Sequence, residues 1–282
     1  MDPVEDHLRW LQLRALSPNT IRSRRSVLTT LSHSLPVPIL EATPEMLLMW
    51  RCEMTGVPST ISSYLSHARQ FYAWAVRRGL RPDDPSQDLP APQKPVRLPR
   101  PIGFEDLVTA VEAADGQLRA WLVLAAWCGL RSCEIARLRS DCIMAASRPA
   151  YLLVAHDATK GSRERTVALS PFVLGELAGL AAKGWAFSRR DGKAGHPQPW
   201  SVSQIIGRHL HSLGIAATAH MLRHWAITEF YESSGRDIRQ TQEWAGHVRI
   251  ETTALYTKVR PGRAAVTVAR MPVPARRLRS VS

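Results

Sequence analysis

The chain has 282 residues, enough for two domains, and 45% of them are hydrophobic, so packed interiors are expected and wholesale disorder is not. Lysine and arginine number 37 against 24 acidic residues, a formal net charge of +13, and such a surface attracts polyanions. Nucleic acid is favoured over membrane, because the most apolar run, Trp121–Leu130, is too short to span a bilayer, Met1–Asp6 carries no apolar export signal, and no terminal helix sets a basic face against a broad apolar one.

The first third predicts helices. Leu8, Leu11 and Ala15 give Val4–Leu16 one apolar face. Ser17-Pro18 is an N-cap followed by proline at the first helical position, and it starts a helix through Thr20–Leu31. Thr43-Pro44-Glu45 repeats the device before Met46–Met54, and Pro58-Ser59-Thr60 opens a long helix through Ala75. Arg77-Arg78-Gly79 closes it, glycine at C′ and cations at the negative end of the dipole. Residues 1–80 therefore read as a four-helix module. Its basic residues Arg22, Arg24, Arg25, Arg69, Arg77 and Arg78 predict a DNA-facing surface. Residues 81–101 hold seven prolines, which no helix or central strand survives, so they read as a semi-extended tether made basic by Lys94, Arg97 and Arg100.

Residues 102–282 predict a mixed domain. Phe104–Ala114, Leu118–Cys128 and Ser132–Leu138 read as helices, the last two separated by Gly129. Tyr151–Val154 and Arg165–Leu169 read as strands joined by the polar hairpin His156–Glu164. Pro171–Lys183, Val202–Leu213, Ala219–Ser233 and Asp237–Ala245 return to helix, with a short helix around Tyr256. Beyond Pro261, Ala264–Ala269 is a candidate strand, and Arg276–Arg279 is a basic end. Cys52, Cys128, Cys133 and Cys142 form no CxxC pair and predict reduced thiols rather than a zinc site.

Within that domain the residue types suit metal-free attack on a phosphodiester. Arg131 and Arg223 offer planar forks for the non-bridging oxygens. His220 lies one helical turn before Arg223, on the same face. His247 follows Gly246 at a helix end, where backbone can approach closely. Lys160, in Thr159-Lys160-Gly161 at the hairpin tip, is an ammonium able to protonate a leaving oxygen, and Tyr256 supplies a phenol. His220 and His224 have a zinc-compatible spacing, but a cation between them and the lack of a metalloprotease glutamate argue against a metal.

In this order, Gly129-Leu130-Arg131-Ser132-x-Glu134, Thr159-Lys160-Gly161, His220-x-x-Arg223-His224, Gly246-His247 and Ala254-Leu255-Tyr256-Thr257 resemble the tyrosine recombinases of the phage-integrase superfamily. The resemblance spans most of Phe104–Lys258. It implies an all-α, SAM-like core-binding domain followed by a mainly α catalytic domain with a small antiparallel sheet, together forming a C-shaped clamp on DNA. It also implies a catalytic cradle of Arg131, Lys160, His220, Arg223 and His247, a supporting Glu134, and Tyr256 as nucleophile. The product of cleavage would be a 3′-phosphotyrosyl link, resolved through a Holliday junction, with no cofactor. Partners would be double-stranded attachment sites, three further copies on two duplexes (monomers when free), and an accessory DNA-bending or directionality protein, all in the bacterial cytoplasm. The residue before Gly246 departs from the family's usual leucine and is Ala245, beside Trp244. With the helical module starting near Met1, the chain looks like a compact member without an arm-type domain: a phage or mobile-element integrase, or a Xer-like chromosome-dimer resolvase. A DNA-binding protein that no longer cuts and a relaxing topoisomerase are the alternatives; the full set with Tyr256 speaks against the former, and relaxation without a specific site would mark the latter.

Overall fold

A computed structural model describes residues 2–93, 98–154, 164–180 and 183–258. The chain divides into two compact units, Met1–Val96 and Arg97–Ser282.

The first unit is built from α1 (Pro3–Leu13), α2 (Pro18–Ser34), α3 (Pro44–Glu53) and α4 (Pro58–Arg77), with a 3-10 turn at Ile39–Glu41. Each helix carries proline in its first turn, where the missing N–H costs no helical bond. Asp2, Ser17 and Thr43 cap α1, α2 and α3 with side-chain oxygens that accept from Val4, Thr20 and Met46 backbone N–H groups. Helix α1 ends before the expected Leu16 because the backbone turns left-handed at Ala15. Helix α2 runs on to Ser34, past the expected Leu31. Leu8, Leu28, Leu31, Leu47, Leu65, Phe71 and Tyr72 fill the core, and the Tyr72 hydroxyl donates to the Ile39 carbonyl at 3.0 Å.

Two expectations change here. The stretch from Arg81, read as the start of a tether, packs on this unit as far as Leu89. Arg81 donates to the Leu40 and Ala42 carbonyls at 3.1 and 3.2 Å and lies over the Tyr72 ring, while Leu89 joins the core. Arg24 is the second correction. It was expected to face DNA, but it is 3% exposed. Its guanidinium turns inward, bonding Gln70 Oε1 at 2.7 Å and lying 3.4 Å from His7 Nε2. Arg22, Arg77 and Arg78 are exposed; Arg25 is exposed and paired with Glu5; Arg69 is half-buried and donates to the Leu89 carbonyl. Lys94 and Arg97 lie outside the described residues.

The second unit contains α5 (Phe104–Glu112), α6 (Gly116–Trp127), α7 (Ser132–Ala136), β1 (Ile143–Met144), β2 (Tyr151–Val154), β3 (Arg165–Ala168), α8 (Pro171–Leu177), α9 (Pro199–Ser212), α10 (Ala219–Ser233), α11 (Ile238–Ala245) and α12 (Ile250–Ala254), then a 3-10 turn at Leu255–Lys258. Helix α6 is apolar on every side from Ala120 to Ala126, so it can only be a central helix. α5, α7, α8, α9 and α10 pack around it. The antiparallel sheet has the order β1-β2-β3, with Leu152 opposite Val167 and Val154 opposite Arg165. β1, which sequence periodicity did not announce, is two residues long. Leu152, Val154, Arg165 and Val167 alternate inward. Hence one cation, Arg165, sits where the strand pattern demands an apolar residue.

Candidate active site

Four segments converge on one cluster: the start of α7, strand β3, helix α10, and the stretch from α11 to the 3-10 turn at Leu255–Lys258. Helix α6 ends at Trp127, and Gly129, two residues on, is left-handed at φ 60°; a Cβ there would lie 2.8 Å from the Trp244 ring. Glycine thus lets α11 close on this turn. Arg131 then opens α7. Its backbone N–H donates to Glu134 Oε2 at 2.8 Å, half of a capping box. Its guanidinium donates to Glu134 Oε1 at 2.9 Å and to the Gly246 carbonyl at 3.2 Å, and its side chain remains 30% exposed.

Glu134 is the buried hub. It also receives a two-pronged bond from Arg165, Nη1 to Oε1 at 3.0 Å and Nη2 to Oε2 at 2.9 Å. Burial alone would raise its pKa. The bonds and charge of Arg165, followed by the charges of Arg223 and Arg131, outweigh burial and hold it at about 2.

Helix α10 presents His220, Arg223 and His224. Arg223 is 2% exposed, and its two terminal nitrogens donate to the carbonyls of Gly129 and Ala245. Burial, then the charge of Arg131, pushes its pKa down to about 9, so it stays cationic near neutrality. The rings of His220 and His224 meet edge-on with centroids 4.4 Å apart. His224 Nδ1 accepts from the Arg100 N–H at 3.0 Å, which leaves the proton of the neutral ring on Nε2.

Helix α11 is capped by Asp237 and ends in Gly246, left-handed at φ 64°. That turn delivers His247, whose Nδ1 lies 2.9 Å from Thr253 Oγ1. Burial first, and then Arg223, Arg131 and Arg165, lower the His247 pKa to about 3. Burial, then His220 and Arg223, lower His224 to about 4. His220 is lowered by desolvation, then by Arg223 and Arg131. All three imidazoles are therefore held toward the neutral form at pH 7, and since His224 Nδ1 already accepts from Arg100, His220 and His247 are the rings left to accept a proton.

Tyr256 completes the cluster. It is 5% exposed, packed with Ile227, Ala245 and Trp244. Its ring centroid lies 5.6 Å from His224 and 6.0 Å from His247. Burial raises its pKa, and the charges of Arg223 and Arg131 work against that rise.

The structure thus brings together Arg131, Glu134, His220, Arg223, His247 and Tyr256. Lys160 and the segment after Lys258 lie outside the described residues. Two members were not singled out from sequence: Arg165, whose charge at an inward strand position was the available signal, and Thr253. Among the described residues no group of three or more His, Cys, Asp or Glu could hold a metal ion, and no helix is long and apolar enough to cross a membrane.

Comparison with known proteins agrees with this geometry. Residues 103–263 match the phage integrase family, and residues 4–79 match the N-terminal SAM-like domain of phage integrases. The chain is 31% identical over 223 residues to tyrosine recombinase XerD of Rhizobium meliloti, covering 69% of this chain and 68% of that protein. It is 29% identical to tyrosine recombinase XerC of Yersinia pestis, covering 90% and 89%. In fold it is similar to lambda integrase in a dimer bound to a COC′ core site, with a TM-score of 0.72, 16% identity and 97% of each chain covered. The Tn1549 transposon integrase in complex with transposon right end DNA gives the same TM-score of 0.72 at 16% identity, over 96% of this chain and 99% of that one. The match over residues 103–263 and the kinship with XerD place the chain in the phage integrase family, among the tyrosine recombinases.

Proposed function

We propose that the chain cuts and rejoins double-stranded DNA at a specific site, with Tyr256 as the nucleophile. The observation that carries this reading is the packing of the Tyr256 ring between His224 and His247, within the field of two arginines. The phenolic oxygen bonds to phosphorus as the bond from phosphorus to the 5′ oxygen breaks. The phenol proton passes to a neutral imidazole, His220 or His247, and Lys160 protonates the departing 5′ oxygen. Arg131, partly exposed, neutralises a non-bridging oxygen in the transition state, and Arg223, buried with both terminal nitrogens on backbone carbonyls, adds its positive charge to the site. The phosphotyrosyl ester conserves the energy of the broken bond, so a 5′-hydroxyl from a second strand reverses the step without a nucleotide cofactor. Four copies on two duplexes, exchanging strands in pairs through a Holliday junction, complete the reaction. In the first unit, exposed Arg22, Arg77 and Arg78, with Arg25, Arg69 and Lys94, contribute phosphate contacts, and Arg97 does so at the start of the second.

We read the chain as the integrase of a phage or mobile element. The likeness to XerC over 90% of the chain favours a second reading, a resolvase of chromosome dimers. Incubation with a nicked-duplex library, followed by sequencing of the DNA trapped on the protein, identifies the site and separates the two. On the recovered site Tyr256→Phe should bind like the parent and form no covalent adduct. Adducts in that variant would remove Tyr256 as the nucleophile.

A further inference from the structure

We propose that Arg165 is a positioning residue for DNA cleavage: it fixes the carboxylate that aims Arg131 and the turn that delivers His247, and it locks both to β3. The proposal rests on the reading of Tyr256 as nucleophile given above.

The side chain of Arg165 is 6% exposed, against 30% for Arg131, so it has little surface to offer a phosphate. Its donors are committed elsewhere. Nη1 and Nη2 take the two oxygens of Glu134, and Nε donates to the Trp244 carbonyl at 2.9 Å. The bond to Trp244 holds the backbone two residues before Gly246. That turn is moulded around the guanidinium, since a Cβ on Gly246 would lie 2.9 Å from Arg165 Nη1.

The effect on Arg131 follows from competition. Glu134 Oε1 receives Arg131 Nη1 and Arg165 Nη1; Oε2 receives the Arg131 backbone N–H and Arg165 Nη2. With Arg165 in place, Arg131 reaches the carboxylate through one guanidinium nitrogen and spends another on the Gly246 carbonyl. With Arg165 gone, both carboxylate oxygens are open to a fork-to-fork pairing with Arg131, the strongest geometry available to such a pair. That pairing draws Arg131 inward, away from the phosphate. Lysine cannot substitute fully, because one ammonium cannot bond both oxygens and a carbonyl in a planar array.

The test uses full-length wild type, Arg165→Lys and Arg165→Met, with the nicked duplex recovered from the trapping library as probe. Thermal melts, DNA affinity and the single-turnover rate of adduct formation at saturating DNA are measured from pH 5 to 9. A misplaced cradle should slow adduct formation on the order of 100-fold, with affinity within roughly threefold of wild type. Arg165→Lys should recover part of the rate. Wild-type rates in both variants overturn the proposal, as does a parallel loss of binding and cleavage that tracks the melt. If Arg165→Met does not fold, Arg165→Lys decides: slower cleavage at an unchanged melt supports positioning, and an unchanged rate rejects it. Absence of an adduct in wild type instead overturns the nucleophile reading, and this proposal with it.

Discussion

Glu134 shows how a single carboxylate organises a cationic site. Two arginines meet on it, and a third contributes to its field, so it remains ionised although its side chain is 1% exposed. Removing the charge leaves buried Arg165 without its counterion, and breaking a buried pair in this way costs about 3–5 kcal/mol. Glu134→Gln should therefore lower the melting temperature. Adding Arg165→Met should restore part of the loss, because the orphaned cation goes too; strictly additive losses in that double-mutant cycle would contradict the shared network. Family resemblance marks Glu134 as a supporting residue and is silent on Arg165. The clue was local: Arg165 and Val167 share the inward face of a strand, and a cation there needs a buried partner. Arg24 was legible by the same logic. It lies three, four and seven residues before Val27, Leu28 and Leu31 on the inward stripe of α2, and counting charges without assigning faces put it on the surface.

At the scale of elements, the long helices were readable because caps, prolines and apolar periods agree, as at Ser17-Pro18 and Thr43-Pro44. Strand β1 is too short to show a period, and the contact between Gly129 and Trp244 joins positions that no local pattern links. The replacement of leucine by Ala245 and the presence of Trp244 looked like packing alone from sequence. In the structure Trp244 stacks on Phe230 at 4.3 Å, covers Gly129, and offers its carbonyl to Arg165. Helix α11 is thus anchored at both ring and backbone just before the His247 turn. Gly246 and Gly235 have similar left-handed angles, 64° and 69°, but a Cβ on Gly235 meets nothing within 4 Å. Alanine at either position incurs a backbone cost of about 1–2 kcal/mol. Gly246→Ala should lose more stability than Gly235→Ala, because it also displaces Arg165, and it should slow adduct formation. Equal melts for the two variants would show that the turn is not moulded on the guanidinium.

For the whole molecule, the net charge of +13 suits a polyanionic partner, while one buried and two half-buried histidines are held toward the neutral form. His7 in the first unit is fully buried, and burial, then Arg24, Arg77 and His67, lower its pKa from 6.5 to about 3. His224 and His247 in the second unit are lowered to about 4 and about 3. The unfolded chain binds protons at these positions below pH 6.5, whereas the folded chain resists until pH 3 to 4. Stability should therefore fall as pH drops through that window, by roughly 1.4 kcal/mol per pH unit for His7. Melts at pH 7.5 and 5 should separate less in His7→Gln than in wild type; an unchanged separation would mean that His7 is not buried neutral. The seclusion of Tyr256 has a consequence of its own. Iodinating reagents, which modify accessible phenolate rings, should mark Tyr64, 37% exposed, well before Tyr256 at 5% in protein without DNA. So arranged, the phenol is kept from stray electrophiles, and early iodine at position 256 would show that the ring is already uncovered before any duplex arrives.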